Sequence, residues 1–350
     1  PNMGRRRFPQ SIPRQIVKDL KDFIIQRRPV VILSTIPERS RKSVIQFLKR
    51  LKAPIYAEGL SGLRGHPELR EHQIRSGEKM LAKLLDDGIC DAIFRIGGVP
   101  TVRLWRDLED RRASIPVFSI GYNHYTGLSR KIPHYDDLDD LSQMECECAR
   151  PLPPSVLDFD REQEQKLVQL YEKYPQAEPA LVHFLSRHLK GAHVYLGNSL
   201  PVREWDMAVN FDVPPERVVG NRGANGIDGQ ISTFLGWSQP RMHNWAIVGD
   251  LTALYDLPAL WITPQLDAEV VRIVVLNNGG GMIFKRMFGS EIFLNQHKIS
   301  FAGWAEQWGW DYQKWERVPG ELKLSRRQII EISVSQEQTA NFWQEWERLW

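Results

Sequence analysis

The chain has 350 residues, with 46 basic and 43 acidic side chains and a formal net charge of +3. That length suits two domains at about 100–200 residues each, and the near-balance of charge gives no case for nucleic acid. No run reaches the roughly 18 apolar residues of a membrane span, and the first twenty residues lack the apolar core of a signal peptide.

Arg5-Arg6-Arg7 reads as part of a solvated tail. Residues 29–34 (PVVILS) form a short, continuous, β-branched run, the pattern of a buried strand. Residues 40–52 have helical spacing, with Val44, Phe47, Leu48 and Leu51 on one face. A strand is expected at 53–57 (APIYA), a helix at 78–85, and a strand at 91–96 (DAIFRI) ending at Gly97-Gly98. Another strand follows at 115–120 (IPVFSI). The alternation predicts a parallel sheet with helices on both faces, in a first domain over 1–150.

Between about 131 and 161 the pattern stops. Asp136-Asp137, Asp139-Asp140 and the prolines at 151, 153 and 154 read as an inter-domain linker with a solvated acidic turn. Cys146 and Cys148 fall there; with Cys90 they make an odd number and no C-x-x-C pair. Neither a disulfide framework nor a zinc site is indicated, and a reducing cytoplasm fits.

A second domain is expected over 155–350. Helices at 162–172 and 178–189 precede strands at 194–196, 218–219, 245–248 and 271–276. These strands end in Gly197-Asn198-Ser199, Asn221-Arg222-Gly223, Gly249-Asp250 and Asn277-Asn278. Ligands of open α/β sheets bind at such carboxyl ends, so the four loops outline one crevice. Trp343, Trp346 and Trp350 have helical spacing and read as a packing face.

The chemistry concentrates at two of these loops. Asp250 sits at the tip of an apolar strand, with Leu251 and Thr252 opening a helix directly after it. N–H groups at a helix start suit a phosphate, and the carboxylate suits a divalent cation bridging two phosphates. Asn277-Asn278-Gly279-Gly280-Gly281 ends the next strand and can offer an amide oxygen and a carbonyl. A lone Gly-Asp carries no information. Gly-Asp after one strand and Asn-Asn after the next is the fingerprint of thiamine-diphosphate enzymes.

The stretch Gly249-Asp250-Leu251-Thr252-Ala253-Leu254-Tyr255-Asp256-Leu257 closely resembles one branch of them, the 2-succinyl-5-enolpyruvyl-6-hydroxy-3-cyclohexene-1-carboxylate synthases. Three further blocks agree in order: 197–203 (GNSLPVR), 221–229 (NRGANGIDG) and 279–284 (GGGMIF). The resemblance implies two doubly wound parallel-sheet α/β domains, a middle domain and a diphosphate-binding domain. It also implies thiamine diphosphate with Mg²⁺ (or Mn²⁺), and 2-oxoglutarate and isochorismate as substrates. Decarboxylation of the first and addition of the remaining unit to the second would serve menaquinone or phylloquinone synthesis. Asp250 resembles the metal aspartate, and Asn278 with the Gly280 carbonyl the other metal ligands. Spacing from Asp250 favours Asn277 and Gly279 instead; alignment with Ile283-Phe284 favours Asn278 and Gly280, the preferred register. Gly226 and Ile227 resemble the cofactor support, and Ile283, Phe284 and Met287 the walls of the thiazolium and substrate chain, although an apolar core would use the same residues. Ser199, Arg203 and Arg222 resemble substrate-carboxylate contacts, and Arg103 more loosely a basic residue of the middle domain.

Members of this family begin with a pyrimidine-binding domain whose glutamate activates the cofactor. No counterpart is legible before residue 29, so the resemblance implies a part of a synthase, inactive alone, with no catalytic residue assignable. The intact enzyme is expected to be a homo-oligomer. A partner-dependent or non-catalytic chain stays open as an alternative, as does another thiamine-diphosphate decarboxylase or acetolactate-type synthase.

Overall fold

The computed structural model describes residues 14–144, 152–223, 225–285 and 290–350. They form two compact units: the described residues of Pro1–Ile74 and Met80–Leu157, and those of Arg75–Lys79 and Asp158–Trp350. Among them, no helix is long and apolar enough to cross a membrane.

The first unit runs α1 (Arg14–Gln26), β1 (Pro29–Leu33), α2 (Arg41–Leu51), β2 (Ile55–Ala57), α3 (Glu78–Asp86, whose first two residues belong to the second unit), β3 (Ala92–Ile96), α4 (Arg103–Asp107), β4 (Val117–Ile120) and β5 (His134–Tyr135). The strands pair in the order β2-β1-β3-β4-β5, all parallel. Continuous apolar runs suit strands covered on both faces. Phe94 of β3 lies edge-on to Phe47 of α2 and to Phe118 of β4, with centroids 6.0 Å apart in each pair.

The expected linker is corrected at its start. His134 pairs with Ser119, and Tyr135, Leu138, Leu141 and Met144 are buried in the first core. Their three-residue spacing suits the 3₁₀ turn at Asp139–Gln143, and interleaved acids hide it in the sequence. Asp139 is exposed to solvent and also tied down: its side chain accepts from the Ser40 hydroxyl, and its carbonyl accepts from Ser43 Oγ at 2.7 Å. Cys146, Cys148 and Arg5-Arg6-Arg7 lie outside the described residues.

The strand order reverses between β1 and β3, where an open α/β sheet would hold a ligand. Here that point is packed. Fully buried Glu58 accepts from Ser34 Oγ (2.6 Å), Thr101 Oγ1 (2.7 Å) and Val102 N–H (3.1 Å). A Cβ on Gly97, at φ +101°, would stand 2.6 Å from the Thr35 carbonyl. Arg95, fully buried and lowered to about 10 by burial, donates to the Gly97 and Gly98 carbonyls at 2.6 and 2.7 Å.

The second unit runs α5 (Pro154–Lys173, entering it at Asp158), α6 (Glu178–Ser186), β6 (His193–Leu196), α7 (Leu200–Ala208), β7 (Arg217–Val219), α8 (Gln230–Trp237), β8 (His243–Gly249), α9 (Asp250–Leu254), β9 (Val270–Asn277), α10 (Ala302–Gln307), β10 (Asp311–Trp315), β11 (Arg327–Ser333) and α11 (Gln336–Glu347). Its sheet has the order β10-β11-β9-β8-β6-β7, again wholly parallel. Two of these six strands escape the sequence reading. β10 is a polar edge strand, and β11 interrupts its apolar run with buried Gln328 and Glu331. On α11 it is Phe342 that is buried, stacked on Tyr171 at 5.6 Å. Trp343 and Trp346 are half-buried and pack edge-on, 5.1 Å apart.

Leu141 separates a core segment from a linker. Leu141→Ala is expected to destabilise the first unit by about 2–4 kcal/mol, the cost of emptying a core leucine site. A linker position would change stability by no more than about 0.5 kcal/mol. Urea unfolding of the two proteins measures the difference.

Candidate functional site

In the second unit the strand order reverses between β6 and β8. A crevice of about 360 Å³ opens outside the carboxyl ends there, lined by Asn198, Ser199, Arg222, Asp250, Asn278 and Gly280 among others. The four strand-end loops thus meet in one place, as the loop pattern implies.

Asp250 is 2 % exposed. Its Oδ2 accepts from the Gly279 and Gly280 amides at 2.8 and 3.0 Å, and its Oδ1 from the Leu251 amide at 2.6 Å. The Leu251 N–H expected to face a phosphate is therefore turned back onto Asp250. His297 Nε2 lies 3.3 Å from Oδ2 without hydrogen-bonding geometry. Burial raises the Asp250 carboxyl, and the Leu251 amide, His297 and the two glycine amides offset part of the rise. A cation beside it would offset more.

The two asparagines part company. Asn277 turns away and donates to the Ile299 carbonyl (2.9 Å) and Glu331 (3.0 Å). Asn278 lines the crevice, and its Nδ2 donates to both oxygens of Glu178, at 2.9 and 3.1 Å. Its Oδ1 is buried with no hydrogen-bond partner among the described residues. Gly280, not Gly279, lines the crevice. Its carbonyl accepts from Met282 N–H at 2.9 Å, which leaves one lone pair. At φ +144° only glycine sits easily, and an added Cβ would stand 2.4 Å from the Leu294 carbonyl.

These are hard oxygen donors, the chemistry of Mg²⁺ and Mn²⁺ sites. Among the described residues no group of three or more His, Cys, Asp or Glu could hold a metal ion. A cation here would depend on amide, carbonyl, water and ligand oxygens beside one carboxylate, and the unpartnered Asn278 Oδ1 fits that need.

The opposite wall comes from β6, α7 and the loop before α8. Ser199 has φ +76°, an uncommon value for a residue with a Cβ. Arg222 donates to Asn198 Oδ1 at 2.9 Å, and Asn198 Nδ2 to the Gly226 carbonyl at 2.8 Å. Arg203 is exposed on α7 and also lines the crevice. Gly226, Ile227, Leu251, Thr252, Ile283 and Phe284 line it too. Ile227 and Ile283 are half-buried and Phe284 is 39 % exposed, so these three are wall rather than core. Arg103 belongs to the first unit, where it opens α4, 3.9 Å from Asp107. Met287 lies outside the described residues.

Glu178, Asn198, Gln230 and His297 escape the sequence reading as separate contributors. Asn198 stands inside a recognised block, which is a signal. Glu178 is 100 residues from Asn278 and has none. Burial pushes its carboxyl up to about 8, against the Asn278 hydrogen bond, and Asp250 adds to the rise.

Fold and site define a class: a doubly wound parallel α/β domain that presents a buried carboxylate and oxygen donors in a crevice at its switch point. No protein-family model matches the chain. It is 51 % identical over 349 residues to the 2-succinyl-5-enolpyruvyl-6-hydroxy-3-cyclohexene-1-carboxylate synthase of Bdellovibrio bacteriovorus, covering 99 % of this chain and 66 % of that protein. Against the synthase of the same name from Akkermansia muciniphila the identity is 33 % over 336 residues, covering 89 % and 60 %. For that of Chloroflexus aurantiacus it is 31 % over 251 residues, covering 67 % and 43 %. The chain belongs to the 2-succinyl-5-enolpyruvyl-6-hydroxy-3-cyclohexene-1-carboxylate synthase family. It spans just under two thirds of the length of these relatives, or less.

Gly280→Ala is expected to strain the loop by about 1–3 kcal/mol, because the carbonyl it meets is backbone. Faster hydrogen exchange at the 279–281 amides, with a lower melting temperature, would register it. Unchanged exchange would count against the close approach.

Proposed function

We propose that the second unit binds thiamine diphosphate through Mg²⁺, or Mn²⁺ in its place. In this reading the protein decarboxylates 2-oxoglutarate and adds the succinyl-semialdehyde unit to isochorismate. The observation that carries the reading is a buried Asp250 carboxylate and the unpartnered Asn278 Oδ1 in one crevice. The identity to the synthases supports it.

Asp250, Asn278 Oδ1 and the Gly280 carbonyl would hold the cation, as hard oxygen donors beside those of the diphosphate and water. Asn277 and Gly279 would hold the loop's shape instead, through the Glu331 and Asp250 bonds. Gly226, Leu251 and Thr252 would border the cofactor, and Ile227 would support its bent form. When bound, the cofactor supplies an electron sink for the carbon that loses CO₂.

Ser199, Arg203 and Arg222 would bind substrate carboxylates, and the guanidinium fork suits them. Asn198 sets Arg222 in place beforehand, which lowers the ordering cost of binding. Ile283 and Phe284, with Met287 beyond them, would keep water from the reacting carbon. This set of cations argues for dianionic substrates over the neutral products of acetolactate-type synthases. We assign no residue of this chain to the activating glutamate.

Isothermal titration with thiamine diphosphate and Mg²⁺ tests the site. Asp250→Ala should weaken binding at least about tenfold, or about 1.4 kcal/mol. Equal affinity of variant and parent would show that the cation does not bind there.

A further inference from the structure

We propose that Glu178 is a positioning residue that selects which face of the Asn278 amide meets the cation. The inference rests on the cation reading above and names a residue which that reading leaves without a role.

An asparagine amide has two ends of nearly equal shape and opposite chemistry. One is an oxygen that binds a cation, the other an NH₂ that repels it. Nothing in the covalent geometry of Asn278 prefers either. Glu178 removes the ambiguity. Its two carboxylate oxygens accept from Asn278 Nδ2 at 2.9 and 3.1 Å. With Glu178 ionised, the form that its bonds from Asn278 and a neighbouring cation favour, a 180° flip would put the amide oxygen against that carboxylate and lose both contacts. Oδ1 is thereby held buried and unpartnered in the crevice that Asp250 also lines.

Both partners are themselves braced by the start of α11. Gln336 Nε2 donates to the Asn278 carbonyl at 2.6 Å. Thr339 Oγ1 accepts from the Glu178 N–H at 3.1 Å. Glu178 is 3 % exposed, although it lines the same crevice. A glutamine in its place could donate to Oδ1 as readily as accept from Nδ2, and both orientations would then be populated.

The orientation role makes a prediction that a merely structural role does not. An aspartate at 278 offers oxygen whichever way it turns, so the choice made by Glu178 should cease to matter. Mn²⁺ binding in the presence of inorganic diphosphate, followed by electron paramagnetic resonance, reads this without turnover. In the parent chain Glu178→Gln should weaken Mn²⁺ binding at least fivefold. On the Asn278→Asp background the same change should weaken it less than twofold. Equal losses on both backgrounds, or no loss on either, would overturn the proposal. Glu178→Asp supplies a second variant if Glu178→Gln does not fold: its shorter arm should also weaken Mn²⁺ in the parent only. Asp250→Ala separates the two layers. Loss of Mn²⁺ there with no loss in either Glu178 variant refutes the positioning role alone. Retention of Mn²⁺ in Asp250→Ala refutes the site itself.

Discussion

Asp250 is a carboxylate held almost wholly out of water, and a buried anion is tolerated only where donors converge on it. Three backbone amides do so, from Leu251, Gly279 and Gly280. The last two belong to the loop that follows β9, so the bonds tie the ends of two neighbouring strands together. They require positive φ at both glycines, which a Cβ would oppose. The carboxylate therefore organises the loop, and among the described residues the Leu251, Gly279 and Gly280 amides and His297 favour its ionised form against burial.

Two units of the same winding reach opposite results at their switch points. Between β6 and β8 the crevice is open, and a Cβ on Gly249 would meet nothing within 4 Å. Between β1 and β3, Glu58 and Arg95 occupy the equivalent place with hydrogen bonds to nearby hydroxyls and backbone. Topology alone names a place where a ligand can bind, and side chains decide whether room is left.

Around the open crevice the supporting polar groups are paired with care. Burial works to raise the Glu331 carboxyl, yet bonds from the Phe301 amide, Tyr312, Asn277 and Ser300 outweigh it and hold it below the usual range. Glu331 thus stays a strong acceptor and fixes Asn277 away from the crevice. Asn198 and Gln230 do the same for the opposite wall, both donating to the Gly226 carbonyl. Asn278 Oδ1, like His297 Nε2 beside Asp250, has no such hydrogen-bond partner among the described residues.

Much was legible in the chain itself. Apolar strand runs and the polar loops after them located four strands of the second sheet, and Asp250, Asn278, Arg222 and Ser199 lay in short local motifs. Those signals survive because strand, tip and helix start are adjacent in sequence. What the tertiary structure decided was of another kind. β11 was hidden because buried Glu331 and Gln328 find partners elsewhere in the unit, so its apolar run is broken. The segment at 134–144 was hidden because its three-residue period is neither that of a strand nor that of an α-helix. Spacing left the asparagine register open, and in the folded chain the two amides meet different partners: Glu331 for Asn277, Glu178 for Asn278. Sequence records which groups the chain carries. Which of two adjacent amides faces a crevice depends on partners 54 and 100 residues away, and only folding brings those into reach.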